Sequence, residues 1–176
     1  MVLQYISQLS KEYKTGSATE HSYRGHLKDL VEGLDENIIA INEPKRVKAG
    51  APDYLIATKN DHIEIGHIEA KDIGKDLKNK TYKEQFTRYK NGLENLIITD
   101  YMEFDFYKDG ELYTSIRIAE EMLGEIHPIE ENFDEFMRLM KDFTSYVGQT
   151  ITSSSRLAQM MAAKFRLCLF IKAYNR

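Results

Sequence analysis

The sequence predicts an α/β domain in which helices cover both faces of one β-sheet, with a helical extension at the C-terminal end. Three observations carry this. Apolar stripes at helical spacing alternate with short runs rich in β-branched and aromatic residues. The run 95–101 (NLIITDY) is nearly continuous in apolar residues, as a strand is when both of its faces are covered. The stretch 50–71 holds two apolar runs either side of Lys59-Asn60-Asp61, which is the pattern of a hairpin. At 176 residues and 42% hydrophobic content the chain can bury one respectable core, and its length favours one domain.

Taken in order, residues 3–14 suggest a short helix. A stronger one starts near Ser17, where Ser17 to Glu20 fits a capping box, with Tyr23, Leu27, Leu30, Val31 and Leu34 as its inward stripe. Residues 37–43 read as a strand that opens the sheet, and a basic loop, 44–50, follows it. Gly50 allows a tight turn before Asp53. After the hairpin and a loop at 72–76, residues 81–93 are helical through Tyr82, Phe86, Tyr89 and Leu93. Strand 95–101 comes next, then a hairpin, 103–107 with 111–118, turning on Lys108-Asp109-Gly110. A helix over 132–147 carries Phe133, Phe136, Met137, Met140 and Phe143. Thr152 to Ser155 cap a last helix, 156 to about 173, that is apolar on several sides.

The chemistry concentrates at the far end of the first hairpin. If that hairpin is centred on Asp61, cross-strand partners have numbers summing to 122, so Asp53 faces Glu69. Lys71 returns to the same face two residues on. Two carboxylates so close repel unless a cation or a proton lies between them. Mg²⁺ suits such oxygen ligands and keeps waters that can act as nucleophile, while Lys71 can orient or deprotonate the water or balance charge on a phosphate. Glu20 has two readings, a helix cap or a residue of the inward face. Gln85 and Tyr89 lie four apart on one side of their helix, beside its apolar stripe. His67 alternates onto the face of Glu69, but a lone histidine in a strand is usually structural.

Pro52-Asp53, a gap of 15 residues and Glu69-Ala70-Lys71 resemble the signature of the PD-(D/E)XK nuclease superfamily. With the strings at 20–24, 42–46, 67–74, 85–89 and 95–101, the chain from residue 17 to about 172 resembles one subgroup. That subgroup is the N-terminal nuclease domain of single-polypeptide (type I SP or type IIG-like) restriction-modification enzymes. The resemblance implies a restriction-endonuclease-like αβββαβ core with a central mixed sheet, and a Mg²⁺-dependent DNA endonuclease in which Mn²⁺ substitutes. It further implies that Asp53, Glu69 and the Ala70 carbonyl hold the metal, completed by Glu20 on the first helix, with Lys71 and Gln85 positioning the attacking water. The QxxxY pattern at Gln85 and Tyr89 resembles the helix motif of recombination-type nucleases. On this reading residues 1–150 form the nuclease domain. Residues 151–176 lead toward a helicase-like or methyltransferase region of the same polypeptide.

The charge distribution fits double-stranded DNA as partner. The chain carries a net −4, but residues 42–90 hold 11 basic and 8 acidic side chains, a net +3 in the block that contains the acidic site. Lys45, Arg46, Lys48, Arg88 and Tyr89 are the expected DNA-binding residues, a basic rim around a carboxylate centre. Each lysine also has the plainer reading of a solvated face. A catalytically silent DNA-binding or coupling module is the alternative function, and an acidic interaction domain with a coincidental motif is the third. No run of eighteen apolar residues exists, the N-terminus lacks a basic start and cleavage site, and Cys168 is single among Leu and Phe. A cytoplasmic protein with no membrane segment is expected. The histidines show no zinc spacing, and no glycine-rich phosphate loop is present.

Overall fold

The computed structural model describes residues 1–146. The helix expected over 156–173, Cys168, and the division at residue 150 lie outside the described residues. Within them the chain runs α1 (Val2–Tyr13), α2 (Glu20–Glu32), β1 (Ile38–Asn42), β2 (Tyr54–Thr58), β3 (Glu64–Ala70), α3 (Lys83–Gly92), β4 (Asn95–Thr99), β5 (Glu103–Lys108), β6 (Glu111–Arg117), β7 (Ala119–Met122), β8 (Glu125–Pro128) and α4 (Phe133–Thr144). Strands β1 to β6 form a six-stranded sheet in sequence order, and β7 and β8 form a small sheet of their own. All neighbours in the large sheet are antiparallel except β3 and β4, which are parallel. The fold is therefore mixed α/β, with helices on both sheet faces.

That single parallel pair follows from the crossover through α3, which returns the chain to the same end of the sheet. Phe86, Tyr89 and Leu93 of α3 pack with Leu96, Ile98 and Tyr107 on one face. Helices α1, α2 and α4 cover the other, where Leu9, Leu27, Val31, Phe136 and Met140 meet Tyr54, Ile56, Ile68 and Ile97. β4 is buried at every residue, as its apolar run requires. Among the described residues no helix is long and apolar enough to cross a membrane.

Two expectations change. Helix α2 begins at Glu20 rather than near Ser17: Thr19 is the cap, in extended backbone, and its N–H donates to Ser22 Oγ at 3.1 Å. Thr19-x-x-Ser22 closes the box that Ser17-x-x-Glu20 was expected to close, which leaves Glu20 at the first helical position with its carboxylate free to point elsewhere. Strands β7 and β8 were not expected at all. Glu120, Glu121 and Glu125 make them polar, and the turn rests on Leu123 and Gly124, both at positive φ (55° and 83°), rather than on an Asn-Gly or Asp-Gly pair.

The sheet is bolted to α4 through Asn95, whose buried Nδ2 donates to the Ile65 carbonyl at 2.9 Å and the Phe143 carbonyl at 3.0 Å. This draws the elements so close to Gly66 that a Cβ there would lie 2.7 Å from the Asn95 carbonyl oxygen and 2.9 Å from Phe143 Cζ. Gly66→Ala should therefore destabilise the chain by about 1–3 kcal/mol in urea unfolding, through overpacking. Gly25→Ala, on the exposed face of α2 with nothing within 4 Å, should act in the opposite sense, gaining about 0.5–1 kcal/mol. Equal effects at the two positions would contradict this packing.

Candidate functional site

Strand register brings the acidic residues together. The pairs Tyr54↔Ile68, Leu55↔His67 and Ile56↔Gly66 keep the sum of 122; the ladder then shifts by a bulge between Ile56 and Ala57, on the turn side and away from the site. On the other side of β2, Asn42 pairs with Tyr54, and the Glu43 N–H donates to the Asp53 carbonyl at 2.8 Å. Glu43, Asp53 and Glu69 thus follow one another at the ends of three adjacent strands. Lys71 is fixed by its N–H, which donates to the Thr99 carbonyl at 2.8 Å and extends the parallel pairing by one residue.

Glu69 is 2% exposed. Its Oε1 accepts from Lys71 Nζ at 2.6 Å and from Gln85 Nε2 at 2.7 Å. Its Oε2 is buried and accepts from no side chain or backbone group. Burial raises its pKa to about 7, with repulsion from Asp53 and Glu20 adding to the rise and Lys71 opposing it. The Asp53 carboxyl is pushed up by burial as well, against the Ala70 N–H and Arg24 that favour its charge. Burial alone would lower Lys71, but the Glu69 carboxylate 2.6 Å away more than offsets it, and the ammonium is held charged. The Lys71 Nζ also lies 5.3 Å from the Tyr82 ring and 5.8 Å from that of Phe86, whose π-faces favour a cation.

Asp53 is engaged at both oxygens. Oδ2 accepts from the Ala70 N–H at 2.9 Å, and Oδ1 from Arg24 Nη2 at 2.5 Å. Arg24 also reaches Glu20 Oε1 at 2.8 Å and Glu43 Oε1 at 2.7 Å. Its helix is placed by two buried tyrosines: Tyr101 Oη donates to the Glu20 carbonyl at 2.8 Å and Tyr54 Oη to the Arg24 carbonyl at 3.0 Å. Arg24 and Glu43 were not expected to act here. Two signals could have found them: the i,i+4 spacing of Glu20 and Arg24 on one helix face, and the position of Glu43 opposite Asp53 once β1 and β2 are paired.

The structure therefore gathers Glu20, Asp53, Glu69, Ala70, Lys71 and Gln85 in one place. Among the described residues no group of three or more His, Cys, Asp or Glu side chains is arranged to hold a metal ion, and Arg24 bonds to both Glu20 and Asp53. Of the expected rim, Lys45, Arg46 and Lys48 are exposed on the loop after β1, and Arg88 is exposed on α3. Tyr89 is not a surface residue: it is 2% exposed, its ring lies against Gly50, and its hydroxyl accepts from Gln85 Nε2 at 3.3 Å. A Cβ on Gly50, whose φ is +140°, would come within 2.6 Å of that ring. The stripe position that made Tyr89 core excludes it from the rim.

No protein-family model matches the chain, and no curated protein matches it. A search of solved structures finds a chain of "cryoEM structure DrdV-DNA complex", with a TM-score of 0.59 and 19% sequence identity. The match covers 82% of this chain and 14% of that one. The likeness is one of fold.

The raised acid at Glu69 has a consequence for stability. The fold favours its protonated form, so its contribution is fully present below the ordinary pKa of 4.5 and lost as pH rises through about 7. Glu69→Gln, neutral at every pH, should be more stable than the parent at pH 8, by up to about 3 kcal/mol. That advantage should shrink below pH 5, in urea unfolding with chelator present. An advantage independent of pH would show that Glu69 is not strained in its charged form.

Proposed function

We propose that the chain is a PD-(D/E)XK nuclease domain, a Mg²⁺-dependent DNA endonuclease that hydrolyses phosphodiester bonds, from a restriction-modification enzyme. One observation carries the reading: the buried, unpartnered Oε2 of Glu69, beside Asp53 and next to a lysine held charged. A buried carboxylate oxygen without a donor is costly unless a proton or a cation completes it, and a divalent cation also offsets the repulsion from Asp53. The fold shared with a chain of a DNA complex supports the same reading, as does the basic rim.

The donor set fits a hard cation with few protein ligands. Asp53, Glu69 and the Ala70 carbonyl would hold Mg²⁺, which prefers one or two carboxylates and retains waters. Bound there, it would supply Lewis acidity toward a phosphate oxygen and a water of lowered pKa. Lys71, held as an ammonium beside Glu69, would donate a hydrogen bond and balance charge on the phosphate. Gln85 donates to Glu69 Oε1 from α3, while Oε2 has no donor. Lys45, Arg46, Lys48 and Arg88 would lie along the DNA backbone.

The engagement of both Asp53 oxygens favours the second reading, a catalytically silent DNA-binding or coupling module whose acidic cluster is held by Arg24. Calorimetry with Mn²⁺ and a supercoiled-plasmid nicking assay separate the two. A nuclease should bind Mn²⁺, lose that affinity by roughly tenfold or more in Asp53→Ala and Glu69→Ala, and nick plasmid. Lys71→Ala should keep the metal yet lower nicking by about 10²-fold or more. A parent that shifts DNA in gels but binds no Mn²⁺ is the coupling module.

A further inference from the structure

Four carboxylates, those of Glu20, Glu43, Asp53 and Glu69, meet two cationic side chains, Arg24 and Lys71, at this end of the sheet. With all four ionised, two negative charges remain. The cations are not shared evenly. Arg24 gives its two terminal nitrogens to Glu20, Glu43 and Asp53, at 2.5 to 2.8 Å. Lys71 serves Glu69 alone among the four, at 2.6 Å. The cluster thus has two halves. One is already gathered around a guanidinium supplied by the chain. The other, between Asp53 and Glu69, contains the only one of the four residues with a buried oxygen that accepts nothing.

We infer that the site takes one divalent cation, between Asp53 and Glu69, and that Arg24 is a positioning residue standing in for a second cation among Glu20, Glu43 and Asp53. This rests on reading the acidic pair as a metal site. Carboxylate sites that hold two divalent ions place them roughly 3.5–4 Å apart; on this inference the guanidinium, bonded to Glu20, Glu43 and Asp53, takes the second ion's place. Arg24 suits the role chemically, because it stays protonated at every accessible pH and its planar fork bridges several carboxylates at once. It also suits it mechanically. Its side chain is 10% exposed, the Tyr54 and Tyr101 hydroxyls hold its helical turn, and three carboxylates hold its guanidinium. The leftover charge of two is what one divalent ion neutralises.

The test is stoichiometry. Titration of MnCl₂ at pH 8 and low ionic strength, followed by calorimetry and by the electron paramagnetic resonance spectrum of the bound ion, should give one isolated Mn²⁺ per chain. Arg24→Met keeps the aliphatic stem and removes the charge. It should admit a second ion, or bind the single ion on the order of tenfold tighter. Arg24→Lys should stay within about threefold of the parent and bind one. Circular dichroism checks that each variant is folded. Two ions in the parent, or a Met variant indistinguishable from the parent, overturn the role of Arg24 and leave the acidic pair as a metal site. Absence of Mn²⁺ binding in the parent overturns both. Should Arg24→Met fail to fold, the parent's own stoichiometry still decides, since a magnetically coupled pair contradicts the inference.

Discussion

The repulsion among carboxylates at the ends of β1, β2 and β3 is the constraint on which the rest of this end of the molecule depends. Backbone register leaves no freedom about their proximity: Glu43 is tied to Asp53 by a backbone hydrogen bond, and Asp53 to Ala70 by its side chain. Burial then amplifies the repulsion, because charges taken out of water are screened less. The pKa values of Asp53 and Glu69 are both raised, first because burial disfavours their charged forms and then through repulsion from neighbouring carboxylates. A stability argument alone would place apolar residues there, since ion pairs in such surroundings rarely outdo well-packed side chains.

Much of the surrounding fold compensates for that choice. Arg24 is delivered by α2, and α2 is held by hydroxyls from β2 and from the residue that follows β4 by two positions. That residue, Tyr101, sits at φ +71°, a conformation that costs a non-glycine residue energy and persists where its surroundings fix it. Tyr5 of α1 in turn donates to the Tyr101 carbonyl at 2.9 Å. So hydrogen bonds link α1 to the end of β4, and the end of β4 and β2 to the helical turn of α2 that carries Arg24. On the opposite face, α3 delivers Gln85 to Glu69, and Lys71 is fixed by the parallel pairing with β4.

The legible parts of the sequence were those set by local periodicity. The hairpin sum of 122 placed Asp53 beside Glu69 because alternation in a strand is strict and the bulge falls on the turn side. Helix stripes and the Asp-Gly turn of β5 and β6 were legible for the same reason. Two kinds of feature were not. Weakly patterned elements such as β7 and β8 are polar and turn on Leu123, so they carry no alternation to read. Tertiary roles of polar side chains were hidden as well. Arg24 looks like an ordinary helix-surface residue until Tyr54 and Tyr101 set its helix against the sheet, and the cap at Thr19 instead of Ser17 changes where Glu20 points. Tyr89 shows the reverse error, since its place on the apolar stripe was visible and was the better guide.

The buried ring of Tyr89 nonetheless links two parts of the site that sequence reading treated separately. It lies against Gly50, at the end of the basic loop, and Ala49 beside it packs so tightly under Gly92 that a Cβ there would approach the Ala49 Cβ to 2.7 Å. A bridge between Val47 and Gly50 closes that loop into a tight turn. Helix α3 therefore anchors the loop that carries Lys45, Arg46 and Lys48 with the same turns that set Gln85 on Glu69. The end of the basic loop and the acidic centre are thus both in contact with α3. In a chain of net charge −4, it is this local separation of opposite charges, and not the overall balance, that shapes the local field.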